Sequence, residues 1–244
     1  MKTIKINNNH VKLIAHRGLS GLYQENTTLS FINAGKGNYY GIETDVHVTK
    51  DNKFIISHDD NIKRVSGIDL VIEESTYEEL RKIKVKDKDG SYTNNLFLPN
   101  LEEYILICKE YNKHPILELK GVMSYNNILD IITIIQSYNY INETTFISFH
   151  KENIEILRNM SDEFNIQFLS GIDNDEMKKD TINFAIKNKV DVDVYYKNID
   201  KDFINECHKN NIKVNVWTVD SPLEASYLID LGVDYITSNI LEEK

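Results

Sequence analysis

Eight short apolar runs rich in valine and isoleucine, spaced by amphipathic stretches, set the tightest limit on how this chain folds. The strand-like runs are residues 11–15, 41–48, 115–119, 144–148, 166–170, 190–194, 212–217 and 234–237. Between them, residues 27–36, 101–111, 126–138, 151–160, 175–187, 201–210 and 223–231 carry helical spacing of their apolar positions. End signals agree. Ser221-Pro222 reads as an N-cap followed by the first helical position, and Gly232 stands where a left-handed residue stops a helix. A strand–helix alternation repeated roughly eight times in 244 residues is the arithmetic of an α/β protein built as a (β/α)8 TIM barrel. The competitor is a doubly wound open sheet, but no G-x-G-x-x-G follows the first strand, so its dinucleotide-binding form loses ground.

Residues 54–99 break the rhythm. They hold a short extra strand at 54–57, a turn at Gly67, a small helix near 76–83 and a polar loop at 84–95. The segment reads as a short insertion after strand 2, approximately 59–98, inside a single domain spanning 1–244. Neither a low-complexity linker nor an internal repeat interrupts the chain.

Composition narrows the partners. A formal net charge of −10 without a basic patch argues against a nucleic-acid partner and against simple attachment to anionic lipid. No apolar run approaches the ~18 residues that span a bilayer, so no stable membrane anchor is expected. The N-terminal residues are polar and lack an apolar signal core, and the two cysteines, Cys108 and Cys207, are too few for a disulfide framework. These readings together place the chain in the cytoplasm.

The chemistry gathers at predicted strand ends, where barrel active sites lie. His16-Arg17-Gly18 ends strand one, and Glu43-Thr44-Asp45 lies toward the end of strand two. Glu118 ends strand three, and Trp217 ends strand seven. Strand side chains alternate, so Glu43 and Asp45 share a face pointing into the mouth, while Thr44 and Val46 point away. Lys120 shares the face of Glu118. Three carboxylates in one mouth repel one another unless a cation sits among them, and oxygen-only ligands suit one hard divalent ion, Mg2+ or Ca2+. His16 and His58 flank the carboxylate pair. A phosphodiester needs one group to activate a nucleophile and one to protonate the leaving alkoxide, and two imidazoles can divide that work. The Arg17 guanidinium can clasp a phosphate in a fixed fork. Of the other histidines, His47 shares the face of Asp45 but can lie beyond the rim, and His150 can line the pocket. His10, His114 and His208 read as surface residues.

At this point the chain resembles the glycerophosphodiester phosphodiesterases, a branch of the barrel phosphodiesterases that also includes phosphoinositide-type phospholipases C. The resemblance runs from Ile14-Ala-His-Arg-Gly and Glu25-Asn-Thr through Gly41-Ile-Glu-Thr-Asp-Val, Ser57-His-Asp, Leu98-Pro-Asn-Leu-Glu-Glu and Leu117-Glu-Leu-Lys. It closes with Val216-Trp-Thr-Val and Gly232-Val-Asp-Tyr-Ile-Thr. It implies metal ligands at Glu43, Asp45 and Glu118, and a general acid and base at His16 and His58. It further implies phosphate grips at Arg17 and Lys120, and an apolar wall at Trp217 beside the alcohol moiety. The expected substrate is a small-molecule phosphodiester, cut to glycerol 3-phosphate and an alcohol through a cyclic phosphate. The alternatives are lysophospholipase D-type action on larger lipid phosphodiesters, which an exposed apolar patch at the mouth would favour, and a non-catalytic phosphate or lipid sensor. Two departures stand out: Gln24 where the family usually has proline, and Ser238 where it often has aspartate. Head group, choice of ion and oligomeric state carry no sequence signal.

Overall fold

Period-two alternation sorts every strand into an inner and an outer face, and the chain folds to satisfy both. The computed structural model describes residues 2–244. Eight parallel strands form the wall: β1 (Lys12–Ala15), β2 (Gly41–Val48), β3 (His114–Leu119), β4 (Thr145–Ser148), β5 (Asn165–Ser170), β6 (Asp191–Tyr195), β7 (Val214–Trp217) and β8 (Tyr235–Ser238). Each pairs with the next, and β1 pairs with both β2 and β8, closing the barrel. Seven helices cover it among the described residues: α1 (Thr28–Lys36), α2 (Leu101–Glu110), α3 (Tyr125–Ser137), α4 (Lys151–Met160), α5 (Asp175–Asn188), α6 (Lys201–Lys209) and α7 (Pro222–Leu231). The (β/α)8 expectation holds, with an insertion after strand 2.

Outward residues such as Leu13, Ile42, Leu117, Phe146, Val192 and Val214 pack beneath the helices against Phe31, Ile131, Leu157, Phe203 and Leu228. Inward residues Ile14, Ile116, Ile147, Leu169 and Tyr235 form a separate cluster inside the barrel. The helix starts are capped by side chains. Thr27 accepts from the Ser30 amide in a reciprocal capping box, Asn100 does the same with Glu103, and Ser221 accepts from Glu224 with Pro222 at the first helical position. Gly232 ends α7 at φ 95°.

Three details differ from the sequence reading. β7 begins at Val214 and not at 212, because the Ile212 amide donates to the Cys207 carbonyl and finishes the end of α6. Residues Ile4–Ile6 form a strand paired in parallel with Leu241–Glu243, which follows β8 where an eighth repeat helix would come. Segment 84–95 is not wholly loop: Lys84–Val85 pairs with Leu96–Phe97 and closes its base. The insertion adds the strand Phe54–Ile56 antiparallel to the end of β2, and two short helices, Lys63–Ser66 and Tyr77–Arg81. Its apolar residues Ile55, Ile62, Val65, Ile72, Leu80, Val85, Leu96 and Leu98 form a small core of their own. That packing holds the segment in a defined shape beside the barrel mouth.

β2 and β3 carry the acidic residues, and their spacing depends on Gly41. A Cβ there would come within 2.6 Å of the His114 carbonyl oxygen. Gly41→Ala should therefore destabilise the fold by about 1–3 kcal/mol through overpacking. The check is a lower urea midpoint with unchanged slope.

Candidate active site

The Arg17-Gly18 turn starts the site. Arg17 has φ 53° and Gly18 φ 73°, and a Cβ on Gly18 would sit 2.5 Å from Ser30 Oγ. Only glycine lets the loop press onto the start of α1 here. The turn aims the Arg17 amide at the barrel, where it donates to Glu43 Oε2 at 2.8 Å.

Asp45 and Glu118 stand in register on β2 and β3, with Glu43 one step lower on the same face of β2. All three are nearly fully buried, and each offers an oxygen within 4.8 Å of the others. Lys120 Nζ lies 2.9 Å from Glu118 Oε1 and 3.6 Å from Asp45 Oδ1, while Arg17 Nε lies 3.7 Å from Asp45 Oδ2. Two cations thus face three carboxyl groups, and the titration follows from that imbalance. Burial and then the Asp45 charge push Glu43 well above the ordinary carboxylate range. Burial and then Asp45 push Glu118 up to about 8. Burial acts on Asp45 in the same direction, but Arg17, Lys120 and His58 outweigh it and hold that carboxyl below its usual value. Asp45 Oδ1 is nevertheless buried without a hydrogen bond. An uncompensated oxygen among three clustered carboxyls, with no nitrogen or sulfur donor in the group, fits a hard divalent cation.

The two imidazoles are each fixed through Nδ1. His16 Nδ1 lies 2.8 Å from Asn239 Oδ1. The Asn239 amide nitrogen donates to Asp220 Oδ2 at 2.7 Å, so its oxygen must be the atom facing His16. The carbonyl-type oxygen requires a proton on Nδ1, which leaves Nε2 with its lone pair, 3.9 Å from Glu43 Oε2. Burial, then the Arg17 charge, lowers the His16 pKa to about 4, so the ring is neutral near pH 7. His58 follows the strand Phe54–Ile56, with Nδ1 2.7 Å from Asp59 Oδ1. Arg64, in the insertion, holds Asp59 at 2.6 Å and grips Glu25 through both terminal nitrogens, at 3.0 and 2.8 Å. Glu25 in turn lies 3.0 Å from Arg17 Nη1. This chain of charges ties the insertion to the first loop across the mouth.

His16, Arg17, Glu43, His58, Glu118 and Trp217 line one cleft of about 380 Å³. Asp45 and Lys120 stand immediately behind, bonded to its walls. Trp217 meets Phe149 edge-on at 5.8 Å and leans on Tyr195 at 5.5 Å. His150 does not line the cleft; its neighbour Phe149 does, because α4 starts at Lys151 and turns the His150 side chain out of the wall. His47 is buried behind the mouth, 3.4 Å from the His58 carbonyl oxygen. Ser238 is a scaffold residue that donates to Asp220 Oδ1 and accepts from the Ile240 and Leu241 amides.

Several residues escaped the sequence reading. Asn26 donates to Asp45 Oδ2 at 2.7 Å and accepts from Thr44. Asn239, Asp220, Arg64 and Asp193 also belong to the site or hold it. Alternation marks Asp193 as inward on β6, but no local pattern connects Asn239 to His16, 223 positions away.

The family model for the glycerophosphoryl diester phosphodiesterase family matches residues 16–243. The chain belongs to that family. It is 27% identical over 232 residues to a glycerophosphodiester phosphodiesterase of Caldanaerobacter subterraneus subsp. tengcongensis, covering 93% of each chain. A glycerophosphodiester phosphodiesterase structure from Parabacteroides distasonis superposes with TM-score 0.77 at 26% identity, over 98% of this chain and 94% of that one. An Oleispira antarctica phosphodiesterase, solved with its product sn-glycerol-3-phosphate, shares the fold at TM-score 0.79 and 22% identity, over 94% and 93% of the two chains. As a glycerophosphodiester phosphodiesterase family member, the chain is an enzyme of the phosphoric diester hydrolase class, as its residues led us to expect.

Asn239 generates a prediction specific to this geometry. Asn239→Leu removes the acceptor that orients His16, and kcat should fall roughly 10–100-fold, while Asn239→Asp retains most activity. Turnover of glycerophosphocholine, with melting curves as a control for folding, checks this.

Proposed function

We propose that this phosphodiesterase cuts glycerophosphodiesters to glycerol 3-phosphate and an alcohol. Glu43, Asp45 and Glu118 hold one divalent ion, Mg2+ or Ca2+, and His16 and His58 move the protons. One observation carries the reading: two imidazoles, each fixed through Nδ1, line a single cleft with a buried carboxylate trio. Bound to the trio, a dication supplies positive charge beside the phosphoryl oxygens.

The remaining steps belong to the chain's own groups. The substrate hydroxyl next to the phosphate attacks phosphorus, and the phosphorus–oxygen bond to the leaving alcohol breaks as the new one forms. His16 Nε2 takes the proton of the attacking hydroxyl. His58, held by Asp59, gives a proton to the leaving oxygen. Water then opens the cyclic phosphate with the two roles reversed, which restores both rings. Arg17 and Lys120 grip the phosphate; Arg17 Nε is buried without a hydrogen bond and is a donor in reserve for a phosphoryl oxygen. Trp217 covers the carbon face of the glycerol.

A second substrate class is favoured by the rim. Val122, Tyr125, Phe149 and Leu223 are 63%, 56%, 45% and 84% exposed, and all follow the carboxyl ends of barrel strands. An apolar rim around the mouth suits a larger lipid diester, as a lysophospholipase D would need. If so, hydrolysis of lysophosphatidylcholine should fall several-fold in Phe149→Ser while glycerophosphocholine turnover changes little; equal losses on both would remove this class.

For the main reading, dialysis against EDTA should abolish activity, and Mg2+ or Ca2+ should restore it. At roughly 100 times its dissociation constant, the ion should also raise Tm by about 5–10 °C in wild type and not in Asp45→Asn. Full activity without any divalent ion would sink the metal assignment. His16→Ala and His58→Ala should each lower kcat by roughly 10²–10⁴ with the fold intact, as judged by circular dichroism and steady-state kinetics.

A further inference from the structure

Asp193 is the one carboxyl in the cleft wall that the mechanism above leaves unused. It is 2% exposed, and its Oδ1 is buried without a hydrogen-bond partner. It lies on β6, in register with Leu169 on β5 and Asn215 on β7. The carboxylate trio lies on β2 and β3, and Asp193 is not part of the group of acids able to share an ion.

Nearby polar groups are already engaged with one another. Asn215 donates to Gln167 Oε1 at 3.1 Å, and Thr237 donates to Asn215 Oδ1 at 3.2 Å, so that string is satisfied without Asp193. The Trp217 indole N–H reaches the Asp193 backbone carbonyl at 3.3 Å and leaves the carboxyl group free. Burial, and then the Glu118 charge, pushes this carboxyl well above the usual range. In either protonation state a carboxyl oxygen can accept a hydrogen bond from a hydroxyl. An unpaired buried polar group is costly, and Asp193 lines the same cleft as Trp217. Ile147, Leu169 and Trp217 line the same cleft and offer carbon surface. That setting suits the hydroxyl of a small polyol: carbon against the walls and one oxygen against the acid.

We propose that Asp193 is a specificity-determining residue that hydrogen-bonds the glycerol hydroxyl remote from the phosphate, the one that does not attack phosphorus. This rests on the glycerophosphodiester reading and extends it. The enzyme then selects a glycerol half over a simpler diol half, and does so from β6, across the mouth from the proton-moving histidines.

The test compares kcat/KM for glycerophosphocholine with that for the phosphocholine diester of propane-1,2-diol, joined through its primary oxygen. Both keep the hydroxyl next to the phosphate; the second lacks the remote one. Wild type should prefer the glycerol diester roughly 10–100-fold, since a site built around a hydroxyl rejects the analogue without it. Asp193→Leu should bring the ratio to near unity, the loss falling on the glycerol diester, and Asp193→Asn should keep most of it. A ratio is insensitive to general damage. Should Asp193→Leu not fold, Asp193→Ala and calorimetric affinities of wild type for glycerol 3-phosphate and propane-1,2-diol 1-phosphate carry the same comparison. A wild-type ratio near one, or an unchanged ratio in the leucine or alanine variant, overturns the assignment of Asp193 and leaves the phosphodiesterase reading standing. Turnover of neither diester by wild type overturns the reading and the assignment together.

Discussion

Mutual repulsion among Glu43, Asp45 and Glu118 is the constraint around which the mouth of this barrel is arranged. At the 4.8 Å that bounds their separations, two like charges cost about 3–4 kcal/mol per pair at an effective dielectric near 20. Arg17 and Lys120 offset part of that, the Asn26 amide and the Arg17 backbone N–H take up further oxygens, and the remainder pushes the Glu43 and Glu118 carboxyls above the usual range. The carboxylate donors are hard and their oxygens converge, an arrangement that suits a dication. The left-handed turn at Arg17 and Gly18 exists in the same service. It costs backbone strain, and in return an amide faces Glu43 where a side chain would not fit.

Around this centre the chain solves an orientation problem twice by the same means. An imidazole keeps one orientation when Nδ1 is occupied by a partner that cannot turn. For His16 the partner is Asn239, held by Asp220 and Ser20; for His58 it is Asp59, held by Arg64. The outer members come from different places, the end of β8 and the insertion, so the two rings are set independently. The insertion thus has a physical reason for its own small core. It must present Arg64 to Asp59 and Glu25 at fixed distance, and a mobile loop would lose that registration.

What could be read beforehand follows from the range of each signal. Strand and helix periodicity, the caps at Ser221 and Gly232, and the shared face of Glu43 and Asp45 are local properties, and the structure reproduces them within a residue or two. Glu118 and Lys120 are two positions apart at the end of β3, a local spacing, and their side chains meet at 2.9 Å. The missing pieces are those whose partner lies far along the chain. Asn239 reads as an ordinary residue after a strand until β8 is set beside β1. Phe149 and His150 differ only in where α4 begins, and element ends are the weakest part of any pattern reading. Ile4–Ile6 is too short to carry a period at all, and its strand exists only because Leu241–Glu243 returns to it.

The cleft is divided laterally into a charged half and a largely apolar half. Strands β1 to β3 and the turn after Phe54–Ile56 bring His16, Arg17, Glu43, Glu118 and His58; strands β4 to β7 bring Ile147, Phe149, Leu169, Asp193 and Trp217. The apolar half does more than receive carbon. By excluding water from one side of the phosphate, it strengthens each charge interaction on the other side and keeps donors such as Arg17 Nε from being spent on solvent. Burial of Asp193 in that half pushes its carboxyl well above the usual range, because a charge is costly where polarity is low. The sharp chemistry of the charged strands therefore depends on the blandness of the strands opposite, and the eightfold alternation is what lets one chain supply both.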